Sequence, residues 1–290
     1  MRLPVCAVSA LLLLTPALSS QANPLSRQSD HSFEDHSWDH HASQTLDRIV
    51  LHAANLGNSD FSRTDLSFSN LTDASMVSVD LREAVLDAAD MAGADLSGAL
   101  MTGAFARWAS FRGAVLAGAS LDGADLRLTS LRDADLSGAN LDGSQLDASD
   151  LRDADLSGAS LDDVDATWAR FDGADLSGAS LTDTELFRAS FRGSDLATTD
   201  FTGSDIRNAD FRGANLAGAD FLDLNGARSA RFTDATYDDL TLLHPDIDTS
   251  DMVYLPEPGA LAGLGAGAAL IALCARRRER QDRRRRLVVA

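Results

Sequence analysis

From Leu46 to Phe221 a large apolar residue returns at every fifth position. Of the 36 positions in this register, 34 carry Leu, Phe, Ile or Met, and the exceptions are Ala106 and Ala166. A second register stands two residues before the first. From Ala54 to Ala219 all 34 of its positions are Ala, Ser, Thr or Val. The three remaining positions of each unit are mostly polar or Gly. A period of five is neither the roughly 3.6 of an amphipathic helix nor the roughly 2 of an alternating strand. A fixed internal period of this kind marks a solenoid.

The unit is Ala-Asp-Leu-Ser-Gly, as in Ala94–Gly98, Ala134–Gly138, Ala154–Gly158 and Ala174–Gly178. The large residue and the small one two before it point inward, and the rest point out. Five residues then form one side of a box with a tight turn at its corner. Gly suits such corners because it tolerates φ > 0, and Asp or Asn bonds nearby backbone. Pro is absent from Leu25 to His244, as expected where nearly every backbone donor is used between coils. A longer period sets the number of sides. Leu131–Ala139 reads LRDADLSGA, and Leu151–Ala159 repeats it letter for letter. At this 20-residue spacing Leu96, Leu116, Leu136, Leu156, Leu176, Leu196 and Leu216 form one column. Four sides per coil and about ten coils follow, a rod of roughly 48 Å at ~4.8 Å per coil. No unit buries its own face, so stability comes from stacking.

These units resemble the pentapeptide repeat family, whose pattern is written A(D/N)LXX. The resemblance covers about Ala54–Ala219, and more loosely Leu46–Leu242. It implies an all-β chain, a right-handed quadrilateral β-helix; the spacing itself gives four sides but not handedness. The register slips by one after Phe221, at Phe232, Tyr237 and Leu242. This predicts an insertion within Leu222–Ala227, with the last turn as a cap. The expected organisation is a signal peptide over 1–22, a flexible His/Asp-rich spacer over 23–45, the solenoid over 46–243, a linker over 244–254 and a sorting tail over 255–290.

The 20-residue period also sorts the outward residues. Arg112, Arg132, Arg152, Arg192 and Arg212 share one column; Asp95, Asp135, Asp155, Asp175 and Asp195 share another. A solvated face with weak ion pairs is the first expectation, and a docking strip is the alternative. Ala106 and Ala166 lie 60 residues apart on one side, each followed two positions later by Trp108 or Trp168. The indoles are expected to fill the gaps, because voids are costly. The alternative is two aromatic platforms for sugar stacking.

Asn23 to Pro256 holds 16 Arg against 41 Asp and Glu, a net charge of −25, and the chain has no Lys. Such acidity repels nucleic acid phosphates. Between Ala53 and Leu243 there is no His and no Cys, so nucleophile–base pairs built on them are unavailable there. Asp and Ser recur as periodic surface residues, and no pair stands out as acid and base. The chain is therefore read as non-enzymatic, with no cofactor. Five of the six histidines cluster at His31, His36, His40, His41 and His52. A solvated spacer is expected there. The alternative is a site for Zn²⁺, Cu²⁺ or Ni²⁺ on His31, His36, His40 and His41 among nearby carboxylates.

Both ends read as targeting segments. Arg2, the apolar run Val5–Leu18 and Ser20-Gln21-Ala22 form a secretory signal. Pro256-Glu257-Pro258 precedes the apolar run Ala260–Ala275 and eight arginines. Sixteen residues at ~1.5 Å each nearly span a bilayer core, and the arginines favour the cytoplasmic side. This tail resembles the PEP-CTERM sorting signal, with Leu255 in place of the commoner Val. The resemblance implies an exosortase-type peptidase as partner, an inner-membrane intermediate, and delivery to the cell surface or matrix of a Gram-negative bacterium.

The function expected from these features is an exported, surface-sorted rod that binds a protein or exopolysaccharide. One alternative is an acidic mimic of duplex DNA that binds a nucleic-acid enzyme, since some pentapeptide repeat proteins have that shape and bind topoisomerases; export would remove it from those targets, and no nucleic acid is expected in its compartment. The other is a secreted glycan-active enzyme.

Overall fold

The computed structural model describes residue 25 and residues 28–256. Within this range the chain winds once per twenty residues. One ladder of parallel bridges starts at Asp30↔Val50 and climbs through ten bridges to Asp210↔Arg231. Three sister ladders start at Asp35, His40 and Thr45, giving a box of four sides. Ten steps of ~4.8 Å make the rod about 48 Å long.

Each side is so short that one residue carries its bridge, and the local bonding is the same around the box. Leu46 N–H donates to Asp65 O at 2.7 Å and Arg48 N–H to Ser67 O at 2.9 Å, both in the following coil. Ile49 N–H closes the corner on Leu46 O at 3.2 Å. The third residue of this turn has positive φ, as in Arg48 at 60°, the requirement of a type II-like corner. Glycine is the residue best fitted to such a corner.

Inside, the two registers make one continuous core. From Leu46 to Phe221 every residue of the large register is buried, Ala106 and Ala166 included. Each buried Leu or Phe contributes on the order of 1.5–3 kcal/mol. Phe171, Phe191, Phe211 and Phe232 stack face to face at 4.8, 4.9 and 5.0 Å between successive centroids. Ser and Thr fit the small register because their hydroxyls reach a carbonyl of the coil below: Thr64 Oγ1 donates to His41 O at 2.7 Å and Thr199 Oγ1 to Leu176 O at 2.9 Å.

The segment expected to be a flexible spacer is instead the first coil. Asp30, Asp35, His40 and Thr45 all join the ladders, and Leu25 is buried against the core. His31, His36 and His41 lie in phase with Leu46 and take its inward place. The segment expected to be a linker is a cap. Here β1 (Asp220–Phe221) pairs in parallel with β3 (Leu242–Leu243), and β2 (Thr236–Tyr237) with β4 (Val253–Tyr254). Ile247 and Met252 are buried over the last coil.

The insertion falls at the C-terminal edge of the expected Leu222–Ala227 stretch. Asn225 still pairs with Asp205 at the ordinary spacing, whereas Arg231 pairs with Asp210 one residue late. The extra residue is therefore taken up between Asn225 and Arg231. Leu222–Asn225 keep the old phase because Leu224 still buries its side chain. A second extra residue lies between Tyr237 and Leu242, since Leu242 pairs with Asp220. It turns Leu242 outward. Asp238 holds this bulge by accepting from the Gly218, Leu240 and Thr241 N–H groups, each at 3.0 Å.

The signal segment, Glu257, Pro258, the apolar run and the arginines lie outside the described residues. Among the described residues no helix is long and apolar enough to cross a membrane.

Gly226 and Gly138 test the corner argument. At Gly226 (φ +91) a Cβ would stand 2.5 Å from Arg207 N; at Gly138 (φ +60) it would meet nothing within 4 Å. Gly138→Ala is expected to cost about 1 kcal/mol, and Gly226→Ala at least ~2 kcal/mol more. Urea denaturation giving equal losses would contradict this account of the insertion.

Candidate functional site

Three surfaces carry groups that the coil itself does not need: the N-terminal mouth of the box, one corner edge and the arginine column. At the mouth the inward residues are His31, His36 and His41, only 5%, 5% and 6% exposed. Glu34 and Asp39 occupy the small register between them. Among the described residues both carboxylates keep contact with solvent.

Together these five residues form a chain of alternating imidazole and carboxylate. Glu34 Oε2 lies 2.7 Å from His31 Nδ1 and 3.0 Å from His36 Nε2. Asp39 Oδ2 lies 3.0 Å from His36 Nδ1 and 3.6 Å from His41 Nε2. His31 Nε2 and His41 Nε2 are buried without a hydrogen bond among the described residues. The His41 ring stacks on Phe61 below it at 4.9 Å. Hydrogen bonding from His31 and His36 holds Glu34 below the ordinary carboxylate range. Burial pushes the His41 imidazole down, more than Asp39 pulls it up.

His40 is not part of this group. Its side chain is 84% exposed, 3.9 Å from Asp60, because it follows an inward-pointing unit by one bridge position. The sequence points to carboxylates near these histidines without choosing among them, and the structure selects Glu34 and Asp39. Carrying the five-residue register back from Leu46 would have separated His31, His36 and His41 from His40.

The corner edge is defined by residues twenty apart. Phe68, Trp108, Leu128 and Trp168 all stand at corner positions with φ of 59°, 57°, 60° and 63°. Trp108 and Trp168 are 58% and 51% exposed. They do not fill the spaces beside Ala106 and Ala166, because the corner backbone turns their side chains outward. Arg188 lies over the Trp168 ring at 4.5 Å, and Phe187 meets it edge-on at 6.2 Å. Arg48 lies over Phe68 at 5.3 Å.

The arginine column is engaged with carboxylates. Arg132 reaches Asp153 at 3.2 Å and Arg112 reaches Asp133 at 3.5 Å, each in the next coil. Arg152 pairs with Asp150. Arg192 and Arg212 converge on Asp210 at 2.7 Å each. The aspartate column three residues on supplies none of these partners. Asp135, for example, accepts from Ser137 N–H at 3.0 Å and Ser137 Oγ at 2.7 Å, which ties its carboxylate to its own corner.

A four-sided parallel coil with an apolar core and its chemistry confined to corners and ends defines a repeat solenoid of the interaction class. The family model described as pentapeptide repeats matches in successive stretches from 46–82 to 184–225. The chain belongs to the pentapeptide repeat family, and its fold is that family's right-handed quadrilateral β-helix. Among solved structures it is similar to HetL, a pentapeptide repeat protein involved in heterocyst differentiation regulation in Nostoc sp. strain PCC 7120. Identity is 28% over 71% of this chain and 87% of HetL, with a TM-score of 0.46. It is also similar to QnrB1, a plasmid-mediated fluoroquinolone resistance protein, at 17% identity over 81% and 95% of the two chains, with a TM-score of 0.32. A pentapeptide repeat protein of the Arabidopsis thaliana thylakoid lumen matches at 29% identity over 44% and 71%, with a TM-score of 0.24. No curated protein matches the chain.

Asp210 offers a test of the paired face. Burial opposes its ionisation, but hydrogen bonds from Arg212 and Arg192 outweigh this and lower its pKa from 3.8 to about 2. The folded value lies below the unfolded one. The stabilisation is therefore present above about pH 4 and fades as pH falls toward 2. Asp210→Asn is expected to lose roughly 2 kcal/mol at pH 7 and almost nothing at pH 2. Chemical denaturation showing a pH-independent difference would remove the arginine pairing as its cause.

Proposed function

We propose that this protein is an exported, surface-sorted, non-catalytic rod that binds extracellular polysaccharide along the Trp108–Trp168 edge. One observation carries the binding part. Bulky residues stand at corners where the backbone needs φ > 0, a conformation that costs an L-residue about 1–2 kcal/mol. The opposite corner of the same coils places Gly, as at Gly118, Gly138 and Gly158, whereas the edge that carries the tryptophans has a side chain at every corner from Gln28 to Asn208. Neither tryptophan is buried, so folding does not repay that cost. Exposed indoles in strained positions are what a docking edge requires. The two rings lie three coils apart, roughly 14 Å at ~4.8 Å per coil, and present flat apolar faces to a chain laid along the rod. Sugar rings offer matching faces, and Arg188 and Arg48 beside the edge can donate to their hydroxyl or carboxylate groups.

The export part rests on the signal-like segment before Asn23 and on the Pro256-Glu257-Pro258 tail with its apolar run and arginines. These would deliver the rod through an exosortase-type peptidase to the surface, where a matrix polysaccharide is met. The non-enzymatic reading rests on the periodic distribution of Asp and Ser, which distinguishes no acid from a base.

Two measurements test this. Polysaccharide isolated from the producing cells should quench or shift the tryptophan emission of the purified protein. The Trp108→Gly, Trp168→Gly variant should lose binding at least tenfold while unfolding at the same temperature or higher. Undiminished binding by the variant would overturn the edge. A tagged chain found only in the cytoplasm on fractionation would overturn the export.

A further inference from the structure

The N-terminal mouth carries a second, separate chemistry. Three of the large inward positions, which are apolar in almost every other coil, are imidazoles here. Their arrangement assigns roles. Glu34 Oε2 accepts from His31 and from His36 Nε2, which fixes His36 with its Nδ1 facing Asp39. A carboxylate bonded to the far nitrogen of an imidazole is the usual support of a metal-ligating histidine. Asp39 Oδ2 then sits between two imidazole nitrogens, His36 Nδ1 at 3.0 Å and His41 Nε2 at 3.6 Å. His41 is only 6% exposed, and beyond the 3.6 Å approach of Asp39 its Nε2 makes no hydrogen bond among the described residues. Ligands each ~2.0–2.1 Å from a tetrahedral Zn²⁺ stand roughly 3.3 Å apart. The two separations measured here straddle that value.

The geometry points to a preformed site for a divalent transition-metal ion on His36 Nδ1, Asp39 Oδ2 and His41 Nε2, with Glu34 and His31 positioning His36. Among the described residues the Asp39 carboxylate stays partly exposed. Two imidazoles and one carboxylate suit Zn²⁺ and equally Ni²⁺ or Cu²⁺. All three ligands come from one coil whose backbone is locked to the next by the His36 N–H to Asn55 O bond at 2.8 Å and the His41 N–H to Asp60 O bond at 2.7 Å. The site is therefore built by the fold and not by a flexible tail wrapping an ion.

Calorimetric titration of the full chain with Zn²⁺, and the visible absorption of its Co²⁺ form, test the assignment. One ion per chain is expected, with micromolar or tighter affinity and a tetrahedral Co²⁺ spectrum. His41→Leu and Asp39→Asn should each weaken binding at least about tenfold. His41→Leu restores the apolar residue found at most other inward positions, so its thermal unfolding in chelator should match or exceed the parent's. His40→Ala should bind as the parent does. Absence of binding heat, or equal losses from His40→Ala and His41→Leu, would overturn the proposal. A parent that binds no ion but is destabilised by Asp39→Asn would show that the cluster is a hydrogen-bonded plug only.

Discussion

A residue in this rod inherits its surroundings from the residue twenty positions earlier, because parallel backbone bonds join each coil to the next. Leu46 N–H reaches Asp65 O, and Val50 N–H reaches back to Ser29 O. Such bonds leave almost no freedom of register. A slip of one residue would turn the large register out of the core along a whole side. The sequence can therefore vary freely in kind but not in phase. Where phase does change, after Asn225, the structure isolates the extra residue at a corner and keeps the Phe211–Phe232 stack intact at 5.0 Å. The rest of the core is a consequence of that register, since an inward column is simply the same side chain position repeated at the inter-coil spacing.

The corners are where the register and the side chains disagree. The turn wants Gly, yet it holds Phe68, Trp108, Leu128 and Trp168 with positive φ. The inter-coil bonds on either side of each corner hold this conformation in place: Trp168 N–H still donates to Phe187 O at 3.0 Å. A strained residue is kept where its surroundings over-determine it. The same ladder that suppresses slippage thus supplies a rigid edge on which exposed rings can be displayed at fixed intervals. The arginine column differs. Its guanidiniums are turned to Asp133, Asp153, Asp150 and Asp210, which leaves fewer of their donors for a partner.

Four-sidedness, the inward registers and the core could all be read from the sequence, because each is a statement about phase. The letter-for-letter repeat of Leu131–Ala139 at Leu151–Ala159 carries the coil length by itself. What could not be read was residue direction at places where composition and phase conflict. His31, His36 and His41 look like solvated spacer by composition and like core by phase, and phase won. Trp108 looked like a filler for the space beside Ala106 because both are near in sequence. Corner geometry, set by φ and invisible in composition, turned it outward. The 244–254 segment continues the slipped register of Phe232, Tyr237 and Leu242 at Ile247 and Met252, and these two are the side chains it buries as a cap, so its role had a periodic signal. Signal and sorting segments rest on composition alone.

The two ends of the rod solve one problem in opposite ways. A stack of coils must stop, and its last inward layer would face water. At the C-terminal end the chain folds Ile247, Met252 and β4 over the core, the direct apolar answer. At the N-terminal end the inward positions of the first described coil are polar. Replacing Leu by His at three positions forfeits hydrophobic transfer free energy of roughly 1.5–3 kcal/mol per site. It also brings six ring nitrogens into a shell only 5–6% exposed. Capping alone would favour side chains that leave no nitrogen unmatched, because an unpaired buried polar atom costs about 1–3 kcal/mol. Among the described residues the Nε2 atoms of His31 and His41 make no hydrogen bond, which capping alone leaves unexplained. They become intelligible if the mouth holds something that accepts nitrogen lone pairs.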